Sequence, residues 1–266
     1  MQPENAPAAA SGQGPRRTPA PLILSVADWL KQDLPPVEWA LGNRFAAGEL
    51  TVGASLGPER WAIWLAIQSA LAIALGREIG GEMPHRPGAV LYLTDHDPAT
   101  VKAVVGNILE GHGLNPSALG GRFHVLKCTR GIFTVATRDG GDVKRSPRTA
   151  RIGAYIRAHE VVHVVVDPLD LIHDGPKAVP FAAMIELRRI AEEAEISFDL
   201  LCRHEGAPEF LPPNLTAAAI YWRADCTDDG FVIADQARNV YERDRSAWTG
   251  AALEVPSDTA NDEVAP

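Results

Sequence analysis

Apolar residues along this chain fall into short unbroken runs separated by longer mixed stretches. The clearest run is Val161-Val162-His163-Val164-Val165-Val166, ending on Asp167-Pro168-Leu169-Asp170. Ala89-Val90-Leu91-Tyr92-Leu93 is a second, bounded by turn residues, while Phe123 to Leu126 and Ile196 to Leu201 read as two further short strands. Continuous apolar runs of this length predict strands buried on both faces. Glu49-Leu50-Thr51-Val52 predicts another strand, followed by a small-residue loop, Gly53-Ala54-Ser55-Leu56-Gly57-Pro58, and an apolar helix over Trp61 to Leu75.

Between the strands the pattern turns helical. Ser25 is placed to cap a short helix over Val26 to Gln32, and Val37 to Phe45 reads as an extended lead-in. Asp97 followed by Pro98 opens a helix to about His112. Ile152 to His159 reads as a short helix, and Phe181 to Ala194 carries Ile185, Ile190 and Ala194 among charges. Ala217 to Tyr241 alternates apolar and polar residues around Asp228-Asp229-Gly230, a hairpin signal. Strands alternating with helices predict an α/β fold: a doubly wound, mainly parallel sheet with a C-terminal antiparallel hairpin.

Composition agrees with a globular chain: 46% of the 266 residues are apolar and 22% charged. Residues 1–20 are rich in Pro, Ala, Gly and Gln and are expected to be disordered, as is the acidic tail at 251–266, leaving 21–250 as a single domain. The N-terminus lacks the apolar core of a signal peptide, and Trp61 to Leu75 falls short of the roughly 20 residues that span a bilayer. Cys128, Cys202 and Cys226 are widely spaced and form no C-x-x-C pair, which points away from zinc and disulfides and toward a reducing compartment. The expected location is the cytoplasm, with no membrane partner.

A net charge of −9 argues against broad attraction to nucleic acid. It leaves room for a local basic surface. Residues 136–151 carry Arg138, Lys144, Arg145, Arg148 and Arg151, read as a solvated loop or, in the sharper alternative, as a nucleic-acid-facing one.

Ligands on parallel sheets bind at the carboxyl ends of the strands. Gly53 to Gly57, Asp95 to Asp97, Asp167 and His204 all fall there, so they form one candidate constellation. Strand, Gly-containing loop and helix is the layout of a phosphate-binding loop, G-x-x-x-x-G-K-[ST]. The residues depart from it. Gly53 and Gly57 are four apart rather than five, and Glu59-Arg60-Trp61-Ala62 stands where Lys and a hydroxyl belong. Arg60 brings a charge in a planar fork rather than a compact ammonium. Neither Trp61 nor Ala62 can ligate Mg²⁺.

Taken together these motifs resemble the RecA-type ATPases related to RepA hexameric plasmid replicative helicases. The matching segments are Gly48-Glu49-Leu50-Thr51, Ala66 to Leu71, Pro87 to Asp97, Val161 to Asp167, Leu187 to Glu193, Phe198 to His204 and Arg238-Asn239-Val240-Tyr241. The resemblance implies a RecA-like domain with a phosphate loop at Gly53, Ser55, Gly57, Arg60 and Trp61. It makes Asp167 the Mg²⁺-side carboxylate and His204 the γ-phosphate sensor. It also puts His96, flanked by Asp95 and Asp97, where the family has a water-activating Glu, so that Asp95, His96, Asp167 and His204 form a vestigial catalytic set. Losing Lys, hydroxyl and Glu together removes several terms on which phosphoryl transfer depends. The leading expectation is a non-hydrolysing pseudo-ATPase that holds no cofactor and acts in DNA replication or plasmid or phage maintenance, assembling as a homo- or hetero-oligomer with RecA-like subunits or engaging DNA or a replication protein. Two alternatives stand beside it. One is a working ATPase or helicase that takes ATP and Mg²⁺, using Arg60 and Asp95 or His96 as substitutes. The other is a DNA-binding regulatory module using Arg145, Arg148, Arg151 and Arg238.

Overall fold

A computed structural model describes residues 25–29, 31, 36–56, 59–136, 143–174, 180–204, 220–226 and 231–239. The two expected disordered segments, Gly57, Arg138 and the hairpin turn at Asp228 to Gly230 lie outside these residues, as do the side chains of Ser55, Arg60, Trp61, His204 and Arg238. The chain divides into two units, Met1–Pro36 and Val37–Pro266. Within the first, the helix α1 covers Val26–Trp29.

The second unit is built on one seven-stranded sheet. Its strands are β1 (Leu50–Leu56), β2 (Ala89–Thr94), β3 (Phe123–Lys127), β6 (Val161–Asp167), β7 (Ser197–His204), β8 (Ile220–Cys226) and β9 (Phe231–Asn239), in the order β3-β2-β6-β7-β1-β8-β9. Every neighbouring pair is parallel except β8–β9, the antiparallel hairpin. The expected fold class is the observed one. A separate two-stranded ribbon pairs β4 (Thr134–Ala136) with β5 (Val143–Arg145).

Alternation along the strands divides the core between two faces. Val90, Tyr92, Val165 and Leu201 pack with α2 (Glu59–Leu75) and α3 (Pro98–Gly111). Leu91, Leu93, Val164, Val166 and Leu200 pack with α4 (Pro147–Ala158) and α5 (Pro180–Ala194). Helix α2 is apolar along its length, and from Ile63 to Leu75 nearly every side chain is buried, so it behaves as a core element rather than an amphipathic cover.

Three local readings are revised. Val37 to Phe45 is not extended: a turn at 42–44 folds it back so that Trp39 bridges Ala46, and Phe45 is fully buried. The basic segment 136–151 is not a single loop. Ser146 accepts a bond from the Arg148 N–H at 3.2 Å and Pro147 takes the first helical position, so α4 starts five residues before the expected Ile152. The strand expected to stop at Val52 runs on to Leu56, four residues into the stretch read as a phosphate loop.

Candidate functional site

The carboxyl end of β1 is held from both sides. Gly53, Ala54, Ser55 and Leu56 lie opposite Leu201, Cys202, Arg203 and His204 of β7, and opposite Trp222, Arg223, Ala224 and Asp225 of β8. In a central parallel strand the N–H and C=O groups of successive residues are directed to the two neighbours. Helix α2 starts at Glu59, so Gly57 and Pro58 are the residues between strand and helix. His204 closes β7 directly beside the end of β1.

On the other side of β7, the ends of β6 and β2 bring three groups together. Thr94 and Asp167 are register partners. Asp167 is fully buried at the end of its valine strand, and its Oδ2 accepts a hydrogen bond from the Tyr92 hydroxyl. The His96 N–H bonds the Thr94 hydroxyl at 3.1 Å, which turns the chain so that His96 Nε2 stands 3.7 Å from Asp167 Oδ2. A buried carboxylate needs such partners, since an unpaired one costs several kcal/mol. The sequence marked Asp167 and His96 as members of one site, and the sheet does bring them together.

Their neighbours have other duties. Asp97 accepts from the Ala99 N–H at 2.8 Å as the N-cap of α3, and lies 4.0 Å from the Lys127 ammonium. Asp95 is exposed at the head of the turn. Tyr92 was missed by the sequence reading, where a Tyr inside an apolar strand passes for core. Its signal was parity: Tyr92 and Thr94 share a face, the one turned toward α2 and α3.

Among the described side chains, Arg145, Arg148 and Arg151 have separate surroundings. Arg145 is bound to Glu186 of α5 at 2.7 Å and lines a cavity of about 210 Å³ between α4 and α5, with Arg157, Arg189 and Glu193. Arg148 donates to the Thr129 hydroxyl at 2.9 Å, and Arg151 is exposed on α4. Arg238 lies on β9, the far edge of the sheet, opposite Tyr221. The thiols of Cys128 and Cys202 are buried, and burial pushes them up to about 11 and about 12, so both stay protonated and inert. No group of three or more His, Cys, Asp or Glu side chains able to hold a metal occurs among the described residues. Among them, too, no helix is long and apolar enough to cross a membrane.

A protein-family profile described as an AAA domain matches residues 15–193, about two thirds of the chain. The chain belongs to the AAA-domain family. Comparison with curated proteins gives no match. The AAA domain is a P-loop ATPase-type domain, and the parallel sheet described above is consistent with it. The matched segment includes β1, α2, His96 and Asp167, whereas His204, the C-terminal hairpin and Arg238 lie beyond its end.

Proposed function

We propose that this AAA-domain protein keeps the ATPase fold without ATP turnover and works through assembly with RecA-like subunits, in a replication or plasmid- or phage-maintenance setting. The observation that carries this reading is β1. A phosphate loop holds its anion by leaving successive backbone N–H groups free at a helix N-terminus. Here the ladder with β7 and β8 engages the chain through Leu56, and α2 begins at Glu59.

Mg²⁺–nucleotide fits these residues poorly. Asp167, the carboxylate on the cation side in the RecA-type reading, is buried and its Oδ2 is taken by Tyr92. Positions 59–62 supply Glu, Arg, Trp and Ala where a compact ammonium and a hydroxyl would serve. One absent donor of transition-state charge costs about 3–4 kcal/mol of barrier. Several absent together leave little rate.

The test is phosphate release from millimolar ATP–Mg²⁺, with and without single-stranded DNA. The expected rate equals that of Asp167→Asn. Turnover that Asp167→Asn or Arg60→Ala abolishes overturns the reading. His96 beside Asp167 favours a second reading, a working ATPase in which a carboxylate-oriented imidazole serves as base. In that case His96→Ala lowers a measurable rate.

A further inference from the structure

Away from the strand ends, two imidazoles meet where the sheet edge faces α4. His124 lies on β3, the outermost strand, in register with Leu91 and therefore three residues short of the Thr94–Asp167 pair. His159 is the C-cap residue of α4, and Tyr155 stands one turn before it. The two imidazole centroids are 5.0 Å apart, with the rings inclined at 53°. The Tyr155 hydroxyl is 2.9 Å from His124 Nδ1, and its ring packs on His159 with centroids 4.1 Å apart. His159 is exposed and His124 half-buried, so the pair borders water.

We propose that His124 and His159 form a two-imidazole site for a borderline divalent metal ion of the Zn²⁺ class, with water completing the shell. Three features support it. Imidazole nitrogens bind Zn²⁺ at about 2.0–2.1 Å, and adding the nitrogen-to-centroid distance on each side of a tetrahedral angle puts the two centroids about 5 Å apart, close to the separation already present. Ligating histidines are oriented by a second hydrogen bond from the other ring nitrogen. Tyr155 provides that bond at Nδ1 of His124; in the tautomer with Nδ1–H donated to the phenol oxygen, Nε2 carries the lone pair.

The third feature is electrostatic. The carboxyl terminus of α4, at His159, supplies the negative end of a helix dipole that favours a cation. A plain aromatic cluster would also account for the ring packing, but it requires no nitrogen at either position. That difference can be measured.

The experiment is a titration of the full-length, untagged chain with ZnCl₂ in a non-chelating buffer, followed by calorimetry. We expect one ion per chain at micromolar affinity and a rise in melting temperature as the ion ties β3 to α4. His124→Gln and His159→Gln, checked for native circular dichroism, each weaken binding by about tenfold or more, while Tyr155→Phe weakens it less, as loss of an outer-shell partner does. Electron paramagnetic resonance of the Cu²⁺-loaded wild-type chain supplies a readout that needs no variant: hyperfine coupling to two nitrogens. A titration that shows no saturable binding overturns the proposal. So does unchanged affinity in both histidine variants, or a Cu²⁺ spectrum without nitrogen coupling. None of these outcomes depends on whether the protein hydrolyses ATP.

Discussion

Asp167 and His163 sit four residues apart on β6, and both are wholly withdrawn from water. Each keeps its polarity by a specific bond. Asp167 accepts from Tyr92, so Tyr92→Phe leaves a buried carboxylate short of one donor, an expected loss of about 1–3 kcal/mol in urea unfolding with little change in the far-ultraviolet spectrum. His163 shares its Nδ1 with the Ser197 hydroxyl at 2.8 Å, packs against Phe45 and has no hydrogen-bond partner at Nε2 among the described residues. Burial, with a smaller push from the Arg44 guanidinium, lowers its pKa from 6.5 to about 3. The unfolded chain therefore takes up this proton first. The contribution of His163 to stability is complete above pH 6.5 and is lost as the pH falls from there toward 3. Its limiting slope is about 1.4 kcal/mol per pH unit. Urea midpoints of wild type and His163→Gln, compared at several pH values between 7 and 4, should show the wild type losing ground steadily to the variant. A constant difference would mean that His163 is not held neutral. The sequence made His163 legible as core from its valine neighbours, and made Asp167 legible as the residue ending an aliphatic strand. Tyr92 was hidden because its hydroxyl partner comes from a strand 75 residues away.

At the scale of elements, periodicity placed β2, β6 and the apolar helix to within two residues, because burial on both faces leaves few alternatives. It failed where short-range polar chemistry sets the boundary. Helix α4 was placed too late because Arg148 and Arg151 looked like loop residues, although Ser146-Pro147 is a start signal in its own right. The same serine is buried, and its own N–H reaches the Phe133 carbonyl at 2.8 Å, so it ties the helix start to the segment leading into the β4–β5 ribbon. Ser146→Ala should cost about 1 kcal/mol, within the usual range for loss of a cap, and Ser146→Asp should recover most of it; thermal melts of the two variants check this. Strand β1 was ended too early for a different reason. Glycine and alanine at 53 and 54 read as loop, yet small residues also suit a central strand covered by an apolar helix, and neighbours on both sides settle it as strand.

At the scale of the molecule, the doubly wound architecture followed from the alternation of strand and helix signals, whereas the order of strands did not. Inserting β7 between β6 and β1 sets the Asp167–His96 pair two strands away from the end of β1, and no local pattern in the chain encodes that spacing. The order bears on how the proposed absence of ATP turnover can be tested. If only side chains had changed, restoring them would restore the chemistry. The reading proposed above rests on the backbone instead: β1 runs four residues past Val52, and two positions remain before α2. A phosphate cradle needs a run of unpaired N–H groups as well as a lysine, and residues 53–56 are paired in the sheet. Arg60→Lys combined with Trp61→Ser supplies the ammonium and the hydroxyl without lengthening the connection. We therefore expect this double variant to release phosphate from ATP–Mg²⁺ no faster than wild type, and to bind a fluorescent ATP analogue no more than a fewfold tighter, as one added surface charge pair is worth about 1 kcal/mol or less. A variant that also inserts three or four glycine-rich residues between Leu56 and Glu59 should bind more tightly than the double variant. If the two substitutions alone produced turnover, side chains rather than the loop would limit the reaction, and the importance assigned here to β1 would be misplaced.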